Sequence, residues 1–405
     1  MKSIRDVFKI GKGPSSSHTM GPERAAKIFL KRNPESASFK VVLYASLSKT
    51  GSGHGTDRVL YEVLGSDRTE VIFSDSGEPV PHPNTLDFFA YDKNGKELSQ
   101  MRVLSVGGGD IQIVGEPAEE LEETYPENSF AEITQFCKWR YISLPEYVEL
   151  NEGPEIWDFL ATVWETMKAA IERGIKTTGI LPGGLQLKRK AKAMYENVVP
   201  NERAQLMELR MIAAFALAVA EENADNGVIV TAPTCGSAGV LPSVLYYMQI
   251  THNMPDETIW EALAVAGLFG ALVKRNASVS GAEHGCQAEI GTACSMAAAA
   301  LCETYNMDLA QIEYAAEMAM EHQLGLTCDP ICGLVQVPCI ERNAVAAKRA
   351  MDAFNLSTLL KGTRNISFDM VVRTMKETGE HISEHYRETS EGGLARLYHR
   401  RKRKK

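Results

Sequence analysis

Near residue 150 of this 405-residue chain the spacing of apolar residues changes, and that change limits what the chain can fold into. Before it, apolar residues fall in short runs separated by turns; after it, they recur every three or four positions over long stretches. Short alternating runs make strands and a three-to-four spacing makes helices, so the expected fold class is an α+β N-terminal domain followed by a larger all-α domain. Strands are predicted over 39–46, 101–106 and 111–114, with a hairpin turn at Gly107-Gly108-Gly109-Asp110 and a preceding helix from about Pro22 to Lys31. Helices are predicted over Asp158–Arg173, Glu202–Glu222, Thr258–Arg275, Leu309–Gln323 and Ala344–Phe354. Alanine and glycine dominate residues 262–267 and 297–300, which lets helices approach closely and predicts buried central helices. The segment Asn151-Glu152-Gly153-Pro154 reads as the linker, giving domains 1–150 and 151–395 and a basic tail, 396–405.

The balance of 43 basic and 52 acidic residues gives a net charge of -9, so no global basic field points to nucleic acid. The basic tail reads as a solvated, frayed end, since like charges repel and nothing apolar anchors them. No low-charge stretch reaches the ~18 apolar residues of a membrane span, and the N-terminus alternates charged with apolar residues unlike a secretory signal. Cytoplasm is the expected compartment, where cysteines serve as reduced thiols, metal ligands or core residues. A homodimer is expected from the prevalence of symmetric pairs among enzymes of this size.

Of the eight cysteines, Cys294 and Cys302 share nearly one face of an alanine-rich helix, and Cys137 stands alone, so these three suit packed core thiols. Cys235 and Cys332 lie in turn-like sequence, as ligands or as pocket lining. Cys286, Cys328 and Cys339 each sit beside helix-breaking or polar residues. Their wide, unequal spacing and the absence of any two-residue-spaced pair argue against zinc ribbons and ferredoxin-type clusters. Spacing alone leaves both metal binding and unconnected loop cysteines open.

Two further segments carry chemistry. Gly13-Pro14-Ser15-Ser16-Ser17-His18-Thr19 runs into a helix opening with Pro22 and Glu23. Hydroxyls at that place cap the helix or, together with its free amides, bind a carboxylate or phosphate. In Thr50-Gly51-Ser52-Gly53-His54-Gly55-Thr56-Asp57 the third glycine of a dinucleotide loop is missing, and flanking glycines expose His54 on a tight turn. Such an imidazole is either a general base near pH 7 or an ordinary loop histidine.

Taken together and in this order, these motifs resemble the iron–sulfur-dependent L-serine dehydratases, or L-serine ammonia-lyases. The likeness runs from Gly13 to Asn343 and is most specific in 13–19, in 285–296 and in 328–343. It implies a 4Fe-4S cluster held by Cys286, Cys328 and Cys339, with the fourth iron facing the substrate between the two domains, and no pyridoxal phosphate. It implies that Ser15, Ser16, Ser17, His18 and Thr19 contact the small-molecule substrate L-serine from the first domain. Ser237, Ala238, Gly239, Lys274 and Asn276 would contribute from the second. The implied reaction is β-elimination of water, giving pyruvate and ammonia, with His54 as the expected base and His18 and Lys274 as competitors. A cluster-dependent lyase for L-cysteine or L-threonine, and a non-catalytic iron–sulfur sensor whose tail binds nucleic acid, are the alternatives. Some members of the family end in a cysteine that caps the fourth iron; here the last cysteine is Cys339, so an open iron bearing a small ligand is expected.

Overall fold

The structure, a computed structural model, describes residues 1–402 apart from 75–76, 78 and 118–122. An N-terminal α+β region precedes a larger helical domain, as the change of period requires. The first region runs β1 (Ile10–Lys12), α1 (Gly21–Arg32), β2 (Ser38–Leu43), α2 (Ala45–Thr50), α3 (Thr56–Leu64), β3 (Thr69–Phe73), β4 (Thr85–Tyr91), β5 (Glu97–Gly107) and β6 (Asp110–Ile113). Five of these strands form one sheet in the order β3-β2-β4-β5-β6, in which only β2 and β3 are parallel. Along β2, Phe39, Val41 and Leu43 turn inward, and with Leu86, Phe88 and Val103 they pack against Ala25, Ala26 and Phe29 of α1 and Leu60 and Leu64 of α3. The expected strand over 39–46 stops at Leu43 because α2 begins two residues later. Strand β4 escapes a period-two reading because Thr85, Leu86, Asp87 and Phe88 are all buried, so no face shows alternation.

The helical domain comprises α4 (Phe130–Arg140), α5 (Leu144–Glu152), α6 (Ile156–Gly174), α7 (Ala191–Glu196), α8 (Ala204–Ala224), the short β7 (Val228–Val230), α9 (Val240–His252), α10 (Asp256–Asn276), α11 (Gly281–His284), α12 (Thr292–Glu303), α13 (Leu309–Glu321), α14 (Cys339–Leu359), α15 (Phe368–His381) and α16 (Gly393–Lys402). Every helix expected from the apolar spacing is present. Small residues let α10 and α12 lie at the centre, where Ala262–Val273 and Ala293–Cys302 are wholly buried. Cys137, Cys294 and Cys302 sit in this core, and burial pushes each thiol up to about 12.

The apolar core places the structural boundary differently from the linker sequence. Tyr125, Phe130 and Tyr147 belong to the core of α10 and α12, so the helical domain takes in α4 and α5 ahead of residues 151–154. Each of those helices opens with a capping box, Ser129 with Glu132 and Ser143 with Glu146, which starts a helix without indicating which core it joins. Ile4, Val7 and Phe8 join the same core, and β1 pairs antiparallel with β7, Ile10 opposite Val230. The chain therefore begins in the helical domain, crosses to build the sheet, and returns. Basic residues from Arg396 to Lys402 continue α16, whose start is capped by the Asp329 carboxylate accepting from Leu394 N at 2.7 Å; residues 403–405 lie outside the described residues. No described helix is long and apolar enough to cross a membrane.

Gly267 lies in the middle of α10, where a Cβ would stand 2.8 Å from Ile4 Cβ and 3.1 Å from Phe8 Cε2. Intrinsic propensity favours alanine there by ~1 kcal/mol, whereas overpacking costs ~1–3 kcal/mol. Gly267→Ala is therefore expected to lower the thermal midpoint, and an unchanged or raised midpoint in a calorimetric scan would contradict this docking of the N-terminal segment.

Candidate active site

Two turns of the α+β region brace each other at the domain boundary. Ser15 caps a wide, π-type turn, Ser16–Met20, by accepting from His18 N at 3.1 Å, and this turn runs straight into α1. Thr19 Oγ1 donates to His54 O (2.8 Å) and Thr56 Oγ1 donates to His18 O (2.6 Å), so each turn closes the backbone of the other. Ser105 Oγ, from β5, donates to Ser17 O at 2.7 Å. The hydroxyls of Thr19 and Thr56 thus hold the turns together, while Ser15 and Pro14 line a buried pocket.

His54 and His18 are both fully buried and stack with ring centroids 4.5 Å apart, but their nitrogens are used differently. Ser46 Oγ donates to Glu388 O (3.0 Å), so it accepts from His18 Nε2 at 3.0 Å, which leaves His18 Nδ1 to accept from Ser17 Oγ at 3.0 Å. Burial pushes the His18 pKa down to about 4, which keeps the ring neutral. In His54, Nδ1 lies 2.8 Å from Thr50 O, a group that only accepts, so Nδ1 carries the hydrogen. His54 Nε2 is left as the basic nitrogen, buried and without a hydrogen-bond partner among the described residues.

The opposite wall comes from the helical domain. Cys286, Cys328 and Cys339, widely separated in sequence, line the same pocket as Pro14, Ser15 and His54, together with Gly236, Glu289, Ile290, Pro330, Val335 and Glu388. Cys286 lies just after α11, Cys328 in the loop after α13, and Cys339 opens α14. A hydrogen bond from the Cys328 thiol, helped by Arg342 and opposed by burial, draws the Cys286 thiol down to about 7. The same bond and burial push Cys328 well up, and burial does so for Cys339. Burial opposes the charge of Arg342, but the three sulfurs outweigh it and raise its pKa; its Nη1 also donates to Thr327 O at 2.6 Å. Two buried thiols and the half-buried Cys339, with a guanidinium to balance their charge, make a donor set suited to a soft, thiolate-bound metal group.

Two carboxyl groups complete the wall. Glu289 accepts from Thr234 Oγ1 at 2.8 Å and lies 3.9 Å from Cys286 Sγ; burial, with Cys286 and Glu388, pushes its pKa well up. Glu388 arrives from the segment between α15 and α16. Its N donates to Cys328 O and Cys328 N donates to Tyr386 O, both at 2.8 Å, which lays the segment along the cysteine loop. Its backbone adopts the left-handed φ of 57°, and its Oε1 stands 3.4 Å from His54 Nε2 and 3.6 Å from His18 Nδ1. Burial opposes its ionisation, and the two imidazoles outweigh burial, holding its pKa below the ordinary value.

Not every residue singled out in the sequence reaches this pocket. Gly236 lines it, whereas Ser237 Oγ is spent on Thr234 and Ala232 O, and Gly239 N donates to Asn343 Oδ1 at 2.9 Å. Ala238 and Ser16 are buried beside their turns without lining it. Lys274 Nζ pairs with Asp110 at 2.5 Å and lines a different cavity with Lys2, Asp6 and Ser278. Asn276 Nδ2 donates to Asn128 O at 2.8 Å, also away from the cysteines. Both lie in the last turn of α10, whose side chains reach Asp6, Asp110 and Asn128. Cys235 is buried beside Met20 and Cys332 is half-buried with a left-handed φ of 59°; neither lines the pocket. Glu289, Arg342, Asn343 and Glu388 are the site residues that the sequence reading missed as functional. A lone carboxylate in the apolar run Ala288-Glu289-Ile290 was a readable signal, while Glu388 is one of several acids around it and carried none.

Comparison with known proteins bears on this geometry. Residues 3–71 match the family model of the serine dehydratase beta chain and residues 92–395 that of the serine dehydratase alpha chain. An L-serine dehydratase of Streptomyces coelicolor is 41% identical over 97% of this chain and 98% of its own length. L-serine dehydratase 2 of Escherichia coli is 40% identical over 98% of both chains, and an L-serine dehydratase of Helicobacter pylori 35% identical over 97% of this chain and 98% of its own.

The buried, neutral His18 generates a linkage prediction. Its folded pKa of about 4 lies below the ordinary histidine value, so between those pH values the unfolded chain binds the extra proton and folding weakens as pH falls. This contribution should make the protein about 2 kcal/mol less stable at pH 5 than at pH 7.5. Denaturant titrations of wild type and His18→Gln check it, with the pH slope expected to flatten in the variant.

Proposed function

We propose that this chain, which belongs to the serine dehydratase family, is a lyase that eliminates water from L-serine and so yields pyruvate and ammonia. The observation that supports this most strongly is the meeting of three thiols with an unpartnered imidazole nitrogen and a hydroxyl-bearing turn around one pocket between two separate cores. An amino acid carries a carboxylate, a weakly acidic α-proton and a poor leaving group, and the pocket has a group suited to each.

Cys286, Cys328 and Cys339 would hold a 4Fe-4S cluster, which when bound supplies Lewis acidity for the departing hydroxyl through an iron without a protein thiolate. His54 Nε2 is the proposed base for the α-proton. The bond from Nδ1 to Thr50 O orients the ring and favours the protonated form that the transfer creates, a contribution of ~100- to 10,000-fold for a positioned base. Ser15, pinned by His18 N, offers its hydroxyl hydrogen to the substrate carboxylate. Removal of the α-proton and loss of hydroxide, which leaves as water, give aminoacrylate. Its tautomer is then hydrolysed to pyruvate and ammonia without further help from the protein. Ile290, Val335 and the prolines at positions 14 and 330 line the pocket and keep bulk water from the carbanionic transition state.

Two outcomes are expected from an anaerobic pyruvate assay on cluster-reconstituted protein. Cys286→Ala, Cys328→Ala and Cys339→Ala should each lose the cluster absorbance and activity, while Cys235→Ala and Cys332→Ala keep both. His54→Gln should retain the absorbance and lose ~100- to 10,000-fold in kcat; full activity in that variant would remove His54 from the mechanism.

A further inference from the structure

Glu388 is a buried carboxylate with no lysine or arginine partner among the described residues; its only charged or chargeable neighbours within salt-bridge distance are the rings of His54 and His18. A carboxylate removed from water is costly unless a cation or several donors face it. The chain nevertheless fixes it firmly. Glu388 is held in a left-handed backbone conformation that non-glycine residues seldom adopt. The bonds that hold it come from both domains: Cys328 on one side, Ser46 Oγ to Glu388 O at 3.0 Å on the other, and Ser390 Oγ to Pro330 O at 2.6 Å just beyond. So much restraint on a carboxylate faced by imidazoles alone, one of them held neutral, points to a cation that arrives with a ligand.

We infer that Glu388 is the counter-ion for the α-ammonium group of the amino-acid substrate, and that it selects amino acids over the corresponding hydroxy acids. The inference rests on the reading of the substrate given above. In an amino acid the ammonium nitrogen and the α-proton are attached to the same carbon. A base that takes the proton and a carboxylate that holds the ammonium must then stand side by side, and His54 Nε2 and Glu388 Oε1 are 3.4 Å apart on the wall of one pocket. The second carboxyl group, Glu289, is placed otherwise: it is engaged by Thr234 and lies against Cys286. Glu388 is thus the acid beside the base, and an ammonium seated on it leaves the lone pair of His54 Nε2 directed at the neighbouring α-carbon.

L-Alanine and L-lactate test this, since they differ only in carrying an ammonium or a hydroxyl group on the α-carbon and neither has a β-leaving group. Their equilibrium binding to anaerobically reconstituted protein is measured by calorimetry, for wild type, Glu388→Gln and Glu388→Asp. Wild type is expected to prefer L-alanine. Glu388→Gln should weaken L-alanine about ten- to a hundredfold, as for loss of a charge-assisted hydrogen bond, and leave L-lactate within about twofold. Glu388→Asp, which keeps the charge on a shorter arm, should fall between. With L-serine, KM in the glutamine variant should rise by more than kcat falls. Unchanged L-alanine binding, equal losses for both ligands, tighter binding of both, or no preference in wild type would each overturn the assignment. Retained L-lactate binding shows that the variant's pocket is intact. Should wild type form no pyruvate from L-serine yet bind L-alanine through Glu388, the dehydration reading fails and the ammonium site stands; pyruvate formation with Glu388-independent L-alanine binding gives the reverse.

Discussion

The pocket exists because two backbones touch across the domain boundary. Gly53, beside His54, lies so close to the loop carrying Cys332 and Gly333 that a Cβ would stand 2.4 Å from Gly333 O. Any side chain there would lift the α2–α3 turn away from the cysteine loop and carry His54 with it. Neither domain encloses the pocket by itself, because the sheet and the helices bury their apolar residues in separate clusters. Directional contacts must fix their relative position. The β1–β7 pairing, the Asn223 Nδ2 bond to Pro14 O at 2.8 Å, and the segment carrying Glu388 supply them.

That arrangement brings many acidic groups out of water together. Three thiols and two carboxyl groups line the pocket with the His54 imidazole, and the Arg342 guanidinium and the neutral His18 ring lie beside it. Burying such a set is unfavourable for folding unless cationic groups complete it. The excess of acid suits a site that receives a metal group and an ammonium-bearing ligand, and strain tolerated in the backbone at Glu388 is of the kind that surrounding bonds over-determine at functional positions.

Much of the fold was legible in the sequence, and the gaps have identifiable causes. The long helices could be located because apolar residues every three or four positions have to face a core. Strand β4 was hidden because it is buried on both faces. Helices α4 and α5 carry capping boxes that mark their starts, yet local signals do not say which of two cores a short helix joins, and the linker was placed after them rather than before. In the site, Cys286, Cys328, Cys339, Ser15 and His54 drew attention because reactive side chains beside glycine or proline are held in turns where a pocket can form. Lys274 and Asn276 look as reactive in sequence, but the last turn of α10 directs them to Asp110 and Asn128. Glu388 lies among other acidic residues on a segment with no special composition.

Sequence by itself determined the order of the two domains, the helices that fill the larger one, and the residue types able to bind metal or accept a proton. These follow from side-chain chemistry and from periodicity over neighbouring positions. Tertiary structure alone decided which thiols share a pocket, that His54 rather than His18 keeps a free nitrogen, and that Glu388 stands beside it. Those outcomes depend on the direction of individual side chains and on contacts between residues hundreds of positions apart, such as Ser46 with Glu388. Such contacts come into being only where the two cores meet.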